Sequence, residues 1–284
     1  MAGAGFVLIP PTARTDKDIK TGQAAQQATL AAKVLHVAAA NVADRTAIAE
    51  PSPGQWIYYK EVETSGTDST PSSDGPEWVT FDGDQSAYYQ VGGPFIVHTS
   101  STSIPRRGTN PWVALNTYGI SSKTAWDVLA ALPAAPHALL AVIAHQVATP
   151  SGKQFAMASV TGVTGAAHPT EAQLEFEYLT RILWNARLGG PPAALAAVYR
   201  AMAILPGISV QRGTTDAAGA RAIGITDDGG YNQLLLSPAT YQVVGWRWFS
   251  DGIFSVGRHS QPKGTLITSI ARTRVAEVAS PGDR

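Results

Sequence analysis

Residues 55–64, QWIYYKEVET, combine aromatic and β-branched side chains with an alternation of polar and apolar residues toward the end of the stretch. These residue types suit the pleated surface of a sheet, so the stretch predicts a β-strand. The preceding residues 51–54, PSPG, end a helical pattern that runs through residues 21–44. A strand is therefore expected directly after an N-terminal helix.

Three more strand patterns follow at residues 77–81, 85–91 and 95–98, with DG and GGP turn signals between them. The intervening segment 65–76 is rich in Ser, Thr, Asp, Gly and Pro, a composition typical of an exposed loop. Sequential strands joined by short turns favour antiparallel pairing. This part of the chain is therefore predicted to form an antiparallel meander.

Helical patterns occupy the start and the middle of the chain. In residues 21–44, apolar side chains recur at steps of three or four and form a broad surface, which predicts a helix lying against a sheet. Further helical patterns lie at 123–132, 136–146, 170–188 and 193–205, and strand patterns return at 208–211, 221–225, 231–236, 241–249 and 265–275. The sequence predicts an α+β fold: a curved antiparallel sheet packed against the N-terminal helix, with a central helical insertion.

The chain divides into one expected domain and two flanking segments. Residues 21–275 are predicted to form a single α+β domain, and residues 276–284 a disordered tail. Residues 1–20 hold an apolar stub, GAGFVLI at 3–9, followed by a polar linker. A membrane-spanning helix needs about 20 apolar residues, so the stub spans nothing alone. It is either a frayed terminus or the outer end of a transmembrane helix whose beginning is missing.

The composition excludes several classes of function. The chain has no cysteine, hence no disulfide, thiolate metal site or cysteine nucleophile. Its 21 basic and 21 acidic residues balance, which gives no attraction to nucleic acid. The six histidines show no His-Glu-x-x-His spacing, and neither a phosphate loop nor a Gly-x-Ser-x-Gly motif is present. We expect no metal, no cofactor and no catalytic residue, and the chain is predicted not to be an enzyme.

Four sequence blocks carry a resemblance to a known family: PGQWIYY at 53–59, WVTFDG at 78–83, VYRAMAILPGI at 198–208 and DAAGAR at 216–221. In this order they resemble an actinobacterial family of uncharacterised proteins, known mainly by locus tags and often encoded near alternative sigma factors. Members have a short cytoplasmic segment, one transmembrane helix and an extracytoplasmic domain. The resemblance implies an extracytoplasmic domain that is membrane-anchored in the full-length gene product, and it brings no catalytic residues.

The expected fold is also similar to bacterial lipoprotein carriers and to periplasmic regulators of sigma-factor signalling, an analogy of fold alone. In those proteins the space between helix and sheet admits acyl chains. The resemblance implies a set of aromatic candidates to line such a space here: Trp56, Tyr58, Trp78, Phe81, Tyr88 and Phe95. The alternative is that these side chains form a dry core.

Residues 246–249, WRWF, are the densest aromatic patch in the chain. In a strand, Trp246 and Trp248 would share one face and Arg247 would lie on the other. Tryptophans beside an arginine can bind a ligand or dock a partner, so these three residues are a candidate partner surface. The alternative is that one face belongs to the core.

These observations lead to a functional hypothesis. We expect a non-enzymatic extracytoplasmic domain that binds a lipid-like ligand, such as an acyl lipid, or an envelope protein, and that serves envelope signalling or sigma-factor regulation. Two alternatives stay open: a hydrolase with a dispersed active site, and a purely structural envelope protein.

Overall fold

The structure of the chain is a computed structural model. It describes residues 16–46, 48–66, 68–72, 76–90, 92–99, 112, 121–154, 169–250, 252, 255–256 and 259–284. The apolar stub at 3–9 lies outside the described residues, so both interpretations of it stay open. Within the described ranges, no helix is both long enough and apolar enough to cross a membrane.

The described residues form every helix and strand that the sequence predicts, in the predicted order, together with three short strands that it does not predict. The helices are α1 (Asp16–Ala43), α2 (Ser122–Ala131), α3 (Pro136–Ala148), α4 (Glu171–Asn185) and α5 (Pro192–Ile204). The strands are β1 (Trp56–Ser65), β2 (Asp68–Ser72), β3 (Glu77–Thr80), β4 (Gln85–Tyr89), β5 (Phe95–Thr99), β6 (Ser209–Thr215), β7 (Arg221–Thr226), β8 (Asn232–Leu236), β9 (Val243–Phe249), β10 (Ser255–Val256), β11 (His259–Ser260) and β12 (Leu266–Val278). The three strands that the sequence does not predict are β2, β10 and β11. The predicted α+β class is confirmed.

Ten of these strands form one antiparallel sheet in the order β5-β4-β3-β1-β12-β9-β8-β7-β6, with β2 paired to β1. The meander predicted for the first strands is therefore confirmed. Strands β1 and β12 join it to a second meander, since Trp56 lies opposite Val278 and Ser65 opposite Thr268. The stretch that opens the first meander is thus central in the sheet.

The helices pack together on one face of the sheet. Along α1 the buried side chains recur at steps of three and four, as in Ala31, Leu35, Ala38 and Val42. This face of α1 packs against α5 and the edge strand β6. The N-terminal helix therefore lies against the curved sheet as predicted, and its small alanines allow a close approach. Residues 23–29 of α1 are exposed or only partly buried, before this packing begins.

The segment 65–76 differs from the loop that its composition predicts, because β2 lies within it and pairs with the end of β1. The connection passes so close to β12 that a Cβ on Gly66 would lie 1.5 Å from the carbonyl oxygen of Leu266. The strand is defined by backbone pairing, which a polar, turn-rich composition does not reveal.

The end of the chain corrects the expected disordered tail at 276–284. Strand β12 extends through Val278, where it pairs with Trp56. Beyond it, the Ser280 hydroxyl donates to Asp283 Oδ2 at 2.9 Å, and Trp78 Nε1 donates to the carbonyl oxygen of Asp283 at 2.5 Å. The tail is anchored by a buried indole, a long-range contact that local composition does not indicate.

Candidate functional site

A cleft of about 300 Å³ lies where the ends of α1, α4 and α5 meet β9 and β12. Apolar side chains form much of its wall: Val42, Leu183, Ala186, Leu188, Leu195, Val243, Val244 and Val275. The basic and polar side chains along it are Arg45, Arg187, Tyr199, Gln242, Arg272, Thr273 and Arg274. A second hollow of about 130 Å³ adjoins it at Gly190 and Pro192.

The turn after α4 creates one wall of this cleft. The sequence predicts helix through residue 188, but α4 ends at Asn185 and Ala186 is its C-cap. Gly189 then adopts a φ of +96°, which an L side chain rarely adopts. A Cβ on the next residue, Gly190, would lie 2.6 Å from Leu129 Cδ1. The chain therefore turns before α5, and Arg187 lies in the turn, at the cleft.

A β-bulge shapes the opposite wall. Lys60 pairs with Arg274 and Glu61 pairs with Arg272, which leaves Thr273 as an extra residue in β12. A bulge of this kind changes the direction in which neighbouring side chains point. Because Lys60 and Glu61 lie on opposite faces of β1, their partners Arg274 and Arg272 also lie on opposite faces.

The guanidinium of Arg272 is buried against α4. Its Nε and Nη2 atoms each donate to Glu61 Oε1 at 3.1 Å, and Nη2 also donates to the carbonyl oxygen of Trp184 at 3.1 Å. Its Cζ atom lies 3.9 Å from the centre of the Trp184 ring. Burial lowers the pKa of Arg272 to about 10, against the opposing effect of the Glu61 carboxylate. The side chain stays charged at neutral pH, and Glu61 balances that charge.

Arg187 is held differently, by an aromatic ring. Its Cζ atom lies 4.0 Å from the centre of the Tyr59 ring. The Tyr59 hydroxyl donates to Glu77 Oε2, and burial raises the pKa of Tyr59 above its ordinary value, which keeps the phenol protonated. Arg187 makes no ion pair with any residue that the structure describes. No carboxylate of those residues lies within ion-pair distance of its guanidinium.

Arg45 and the β8–β9 turn close another side of the cleft. Arg45 Nη2 donates to the carbonyl oxygen of Thr240 at 2.9 Å, and the Tyr199 hydroxyl donates to that of Tyr241 at 3.2 Å. Burial raises the pKa of Tyr199, so this hydroxyl stays protonated. Tyr241 has a φ of +55°, the only positive value for a non-glycine residue in the described chain. Strained backbone of this kind clusters at functional sites.

The chemistry available in the cleft follows from its lining. Arg45 and Arg187 have no carboxylate partner among the described residues, and none of the described residues that line the cleft is acidic. Among the described residues the lining contains no histidine, serine or cysteine, and its hydroxyl groups are those of Tyr199 and Thr273, with no histidine or carboxylate in the lining to act as a base. An apolar wall beside two guanidinium groups that make no ion pair suits binding of a molecule that is part apolar and part anionic.

The six aromatic residues predicted to line a ligand space do not line this cleft. Trp78 is fully buried and packs against Tyr58 and Phe95, each at a ring-centre distance of 5.4 Å. Trp56 is partly buried against the same cluster. Alternation along β1 places Tyr58 on the face opposite Ile57, which contacts α2 through Trp126. This cluster therefore lies on the face of the sheet away from α2, which corrects its predicted place between helix and sheet.

The other two members of that set lie elsewhere. Phe81 is buried with Ile57 and packs against Trp126 of α2 at a ring-centre distance of 6.2 Å. Tyr88 is 37% exposed and stacks on His98 at 5.5 Å. The structure thus brings four of the six residues together and separates two, and the burial of Trp78 and Phe81 is that of core residues.

The candidate partner surface on β9 is partly buried. Trp246 and Trp248 share one face and Arg247 lies on the other, as the alternation predicts. The guanidinium of Arg247 reaches across the sheet, where it donates to Thr214 Oγ1 at 2.5 Å and to the carbonyl oxygen of Thr215. Burial lowers the pKa of Arg247, and Asp216 opposes that shift. Arg247 therefore links β9 to β6.

Sequence reasoning missed the residues that give the cleft its charge, Arg45, Arg187 and Arg272. They are far apart in the chain, and no motif connects them. Two local signals pointed to them: Arg187 precedes a Gly-Gly helix stop, and Arg272 belongs to a basic pair inside a largely apolar strand. Neither signal predicts that the three residues line the same cleft.

Comparison of the chain with protein families, with curated proteins and with solved structures gives no match. The resemblance to the actinobacterial family therefore stays a prediction. In the part of the chain that the structure describes, no group of His, Asp and Glu side chains is arranged to hold a metal ion.

Proposed function

We propose that this protein is a non-enzymatic binding domain and that the cleft between the helix ends and β12 is its ligand site. The observation that carries the proposal is the lining itself, an apolar wall with guanidinium groups and, within the described part of the chain, no acidic side chain. Small-molecule sites are typically concave and mostly apolar, with a few polar groups that orient the ligand.

The size of the cleft narrows the choice of ligand. Its volume of about 300 Å³ is at the lower end of the range for small-molecule sites, roughly 300–1,000 Å³. It suits a small molecule or one short aliphatic chain rather than a whole multi-chain lipid. The proposal therefore keeps the lipid-like ligand expected from the sequence, limited to a molecule with one short chain. Its site is the cleft and not the aromatic residues that were expected to line it.

The cellular setting is the less direct part of the proposal. An extracytoplasmic domain in envelope signalling or sigma-factor regulation, with an envelope protein as partner, is supported by the family resemblance alone. A hydrolase is the second class of function to test. The described residues that line the cleft include none of the serine, histidine and carboxylate groups on which such enzymes rely, which disfavours a hydrolase site formed by those residues.

Native mass spectrometry of protein purified without detergent tests the proposal. We expect a co-purifying small molecule that is lost in Leu195→Trp, because Leu195 lines both hollows and the larger side chain would fill them. Val97→Trp is the matched control, since Val97 is 50% exposed on β5 and does not line either hollow.

Two results would contradict the proposal. One is a clean apo mass together with no thermal stabilisation by any member of a panel of small amphiphiles, which would favour a structural role. The other is covalent labelling of the folded protein by a broad serine-hydrolase probe, which would favour the hydrolase.

A further inference from the structure

The geometry points to an anionic group, a carboxylate or a phosphate, as the part of the ligand that the cleft recognises, with Arg187 as its main contact and Arg45 as a second one. This inference rests on the proposed function, because it assigns a ligand class to the same cleft. The ligand is then a small single-chain amphiphile whose apolar part packs against the wall and whose anion meets the guanidinium groups.

The guanidinium of Arg187 is held in a fixed position by neighbouring side chains, which suits it to bind an anion. Tyr59 supports one face of its guanidinium, and Glu77 in turn fixes the Tyr59 hydroxyl. Stacking uses the flat face of the guanidinium and leaves its N–H edge for hydrogen bonds. Among the described residues no carboxylate pairs with Arg187, and the side chain is only partly exposed. A bidentate carboxylate or phosphate would satisfy both its charge and its donors.

Arg45 supplies a second positive charge from the end of α1. Its described hydrogen bond is to the neutral carbonyl oxygen of Thr240, which leaves the charge uncompensated. Arg45 lines the main cleft and also the adjoining hollow. An anion bound at Arg187 would therefore also be attracted by Arg45, although the latter keeps a backbone partner.

Arg272 has a different part in this arrangement. Glu61 and the Trp184 carbonyl already accept its hydrogen bonds, and Glu61 balances its charge. It is a positioning residue, since it holds Trp184 at the end of α4, just before the turn that carries Arg187. Arg274 also lines the cleft, but its guanidinium lies 5.7 Å from the Tyr58 ring, on the other face of the sheet.

The apolar part of the ligand follows from the apolar lining. Val42, Leu183 and Leu195 come from three helices and Leu188 from the turn after α4, and together they line one space. Burial of a short aliphatic tail there would release water from apolar surface on both partners. A purely inorganic anion would leave this wall unused, so the tail and the anion are expected to act together.

Isothermal titration with four eight-carbon compounds tests the inference: octanoate, octyl phosphate, octanol and octylammonium, each below its micellar concentration. We expect octanoate or octyl phosphate to bind at least about tenfold more tightly than octanol, and octylammonium not to bind. Comparison of the two anions distinguishes a carboxylate ligand from a phosphate ligand. Added salt should weaken the binding of the two anions and leave the binding of octanol nearly unchanged.

Variants assign the effect to Arg187. Arg187→Gln should weaken anion binding about tenfold and leave octanol binding unchanged, while Arg187→Lys should recover part of the loss because it keeps the charge without the planar fork. Arg212→Gln is the matched control, an exposed arginine on β6 that does not line the cleft. Circular dichroism and thermal unfolding of each variant check that the fold is retained.

The possible outcomes separate this inference from the proposed function. If octanol binds as tightly as the anions, or folded Arg187→Gln binds the anions normally, the anionic ligand class is wrong while the cleft remains a site. If none of the four compounds binds and native mass spectrometry shows no ligand, the proposed function itself fails.

Discussion

Arg272 and Arg274 are two positions apart in β12, yet they lie on opposite faces of the sheet because Thr273 is an extra residue between them. Arg272 packs against Trp184 of α4, whereas Arg274 lies near Tyr58. In a regular strand both side chains would share one face. The bulge thus directs one guanidinium toward the helices and the other away from them.

The buried pair of Arg272 and Glu61 leads to a stability prediction. Glu61→Gln should lower the free energy of unfolding by about 3 kcal/mol, because Arg272 would stay buried without its counter-charge. The double variant Glu61→Gln/Arg272→Leu should recover part of the loss. Urea denaturation measures both effects.

An exposed ion pair gives the control for that experiment. Lys123 and Asp127 lie four residues apart on α2 with their charged atoms 2.8 Å apart, and both side chains are substantially exposed. Lys123→Gln should change stability by less than about 1 kcal/mol. If Lys123→Gln and Glu61→Gln lower the free energy of unfolding equally, the ion pair of Arg272 and Glu61 does not behave as a buried pair.

Asp227 predicts a pH dependence of stability. It is buried in the turn before β8, where its Oδ1 accepts from the Gly230 N–H at 2.9 Å. Burial raises the pKa of Asp227 to about 6, although the hydrogen bond opposes the shift. Between about pH 4 and pH 6 the folded state therefore binds more protons at this group than the unfolded state. The neutral Asp227 carboxyl therefore contributes fully to the stability of the folded state below about pH 4. That contribution is lost as the pH rises through about 6, because the buried carboxyl must then ionise.

Asp227→Asn should remove this loss, because asparagine is neutral and can still accept the hydrogen bond from Gly230. At pH 7 we expect it to raise the free energy of unfolding by about 3 kcal/mol, with little gain at pH 4. Denaturation curves from pH 4 to 8 measure the difference. Asp84→Asn, at an exposed turn position, is the matched control for replacing an aspartate by asparagine in a turn. A gain that is the same at every pH would show that titration of Asp227 is not its cause.

Substitution of Trp78 tests whether the aromatic cluster around it is part of the hydrophobic core. Trp78→Ala should lower stability by about 4 kcal/mol, because a fully buried indole in contact with Tyr58 and Phe95 leaves a large cavity. Trp78→Phe should cost less and should speed hydrogen exchange near Asp283, which loses the donor of its carbonyl hydrogen bond.

The same variant distinguishes core from ligand site. Since Trp78 does not line the cleft, folded Trp78→Phe should keep any ligand that co-purifies with the wild-type protein. Loss of that ligand would instead favour the aromatic cluster as its site. Tyr88→Ala, at an exposed position of β4, should cost less than about 1 kcal/mol and serves as the stability control.

Two glycines give a matched test of the β1–β2 connection. Gly66→Ala should destabilise the protein by about 2 kcal/mol or more, because the added Cβ would overlap the carbonyl oxygen of Leu266. Gly54→Ala meets no atom within 4 Å and should be neutral or slightly stabilising. Thermal unfolding compares the two, and equal effects would mean that the chain does not pass β12 as closely as described.

Much of the fold follows from local patterns. The start of α4 is an example, because Thr170 and Gln173 form a reciprocal capping box at the residue where the sequence predicts the helix to begin. Strand β1 follows equally from its aromatic and β-branched residues. Strand β2 does not, since its residues favour turns and only pairing with β1 makes them a strand. The boundary of α4 also moved by a few residues, which placed Arg187 outside the helix.

Periodicity and turn chemistry are properties of neighbouring residues, and they were sufficient for the α+β class, the meander and the place of α1. The binding cleft depends on contacts between residues that are far apart in the chain. Arg45, Arg187 and Arg272 line one cleft only because β12 pairs with β1 and the helices end beside that pair. A bulge and the pairing of strands decide on which face of the sheet the side chains of Arg272 and Tyr58 lie. Contacts between distant parts of the chain leave no signal in a local stretch of sequence.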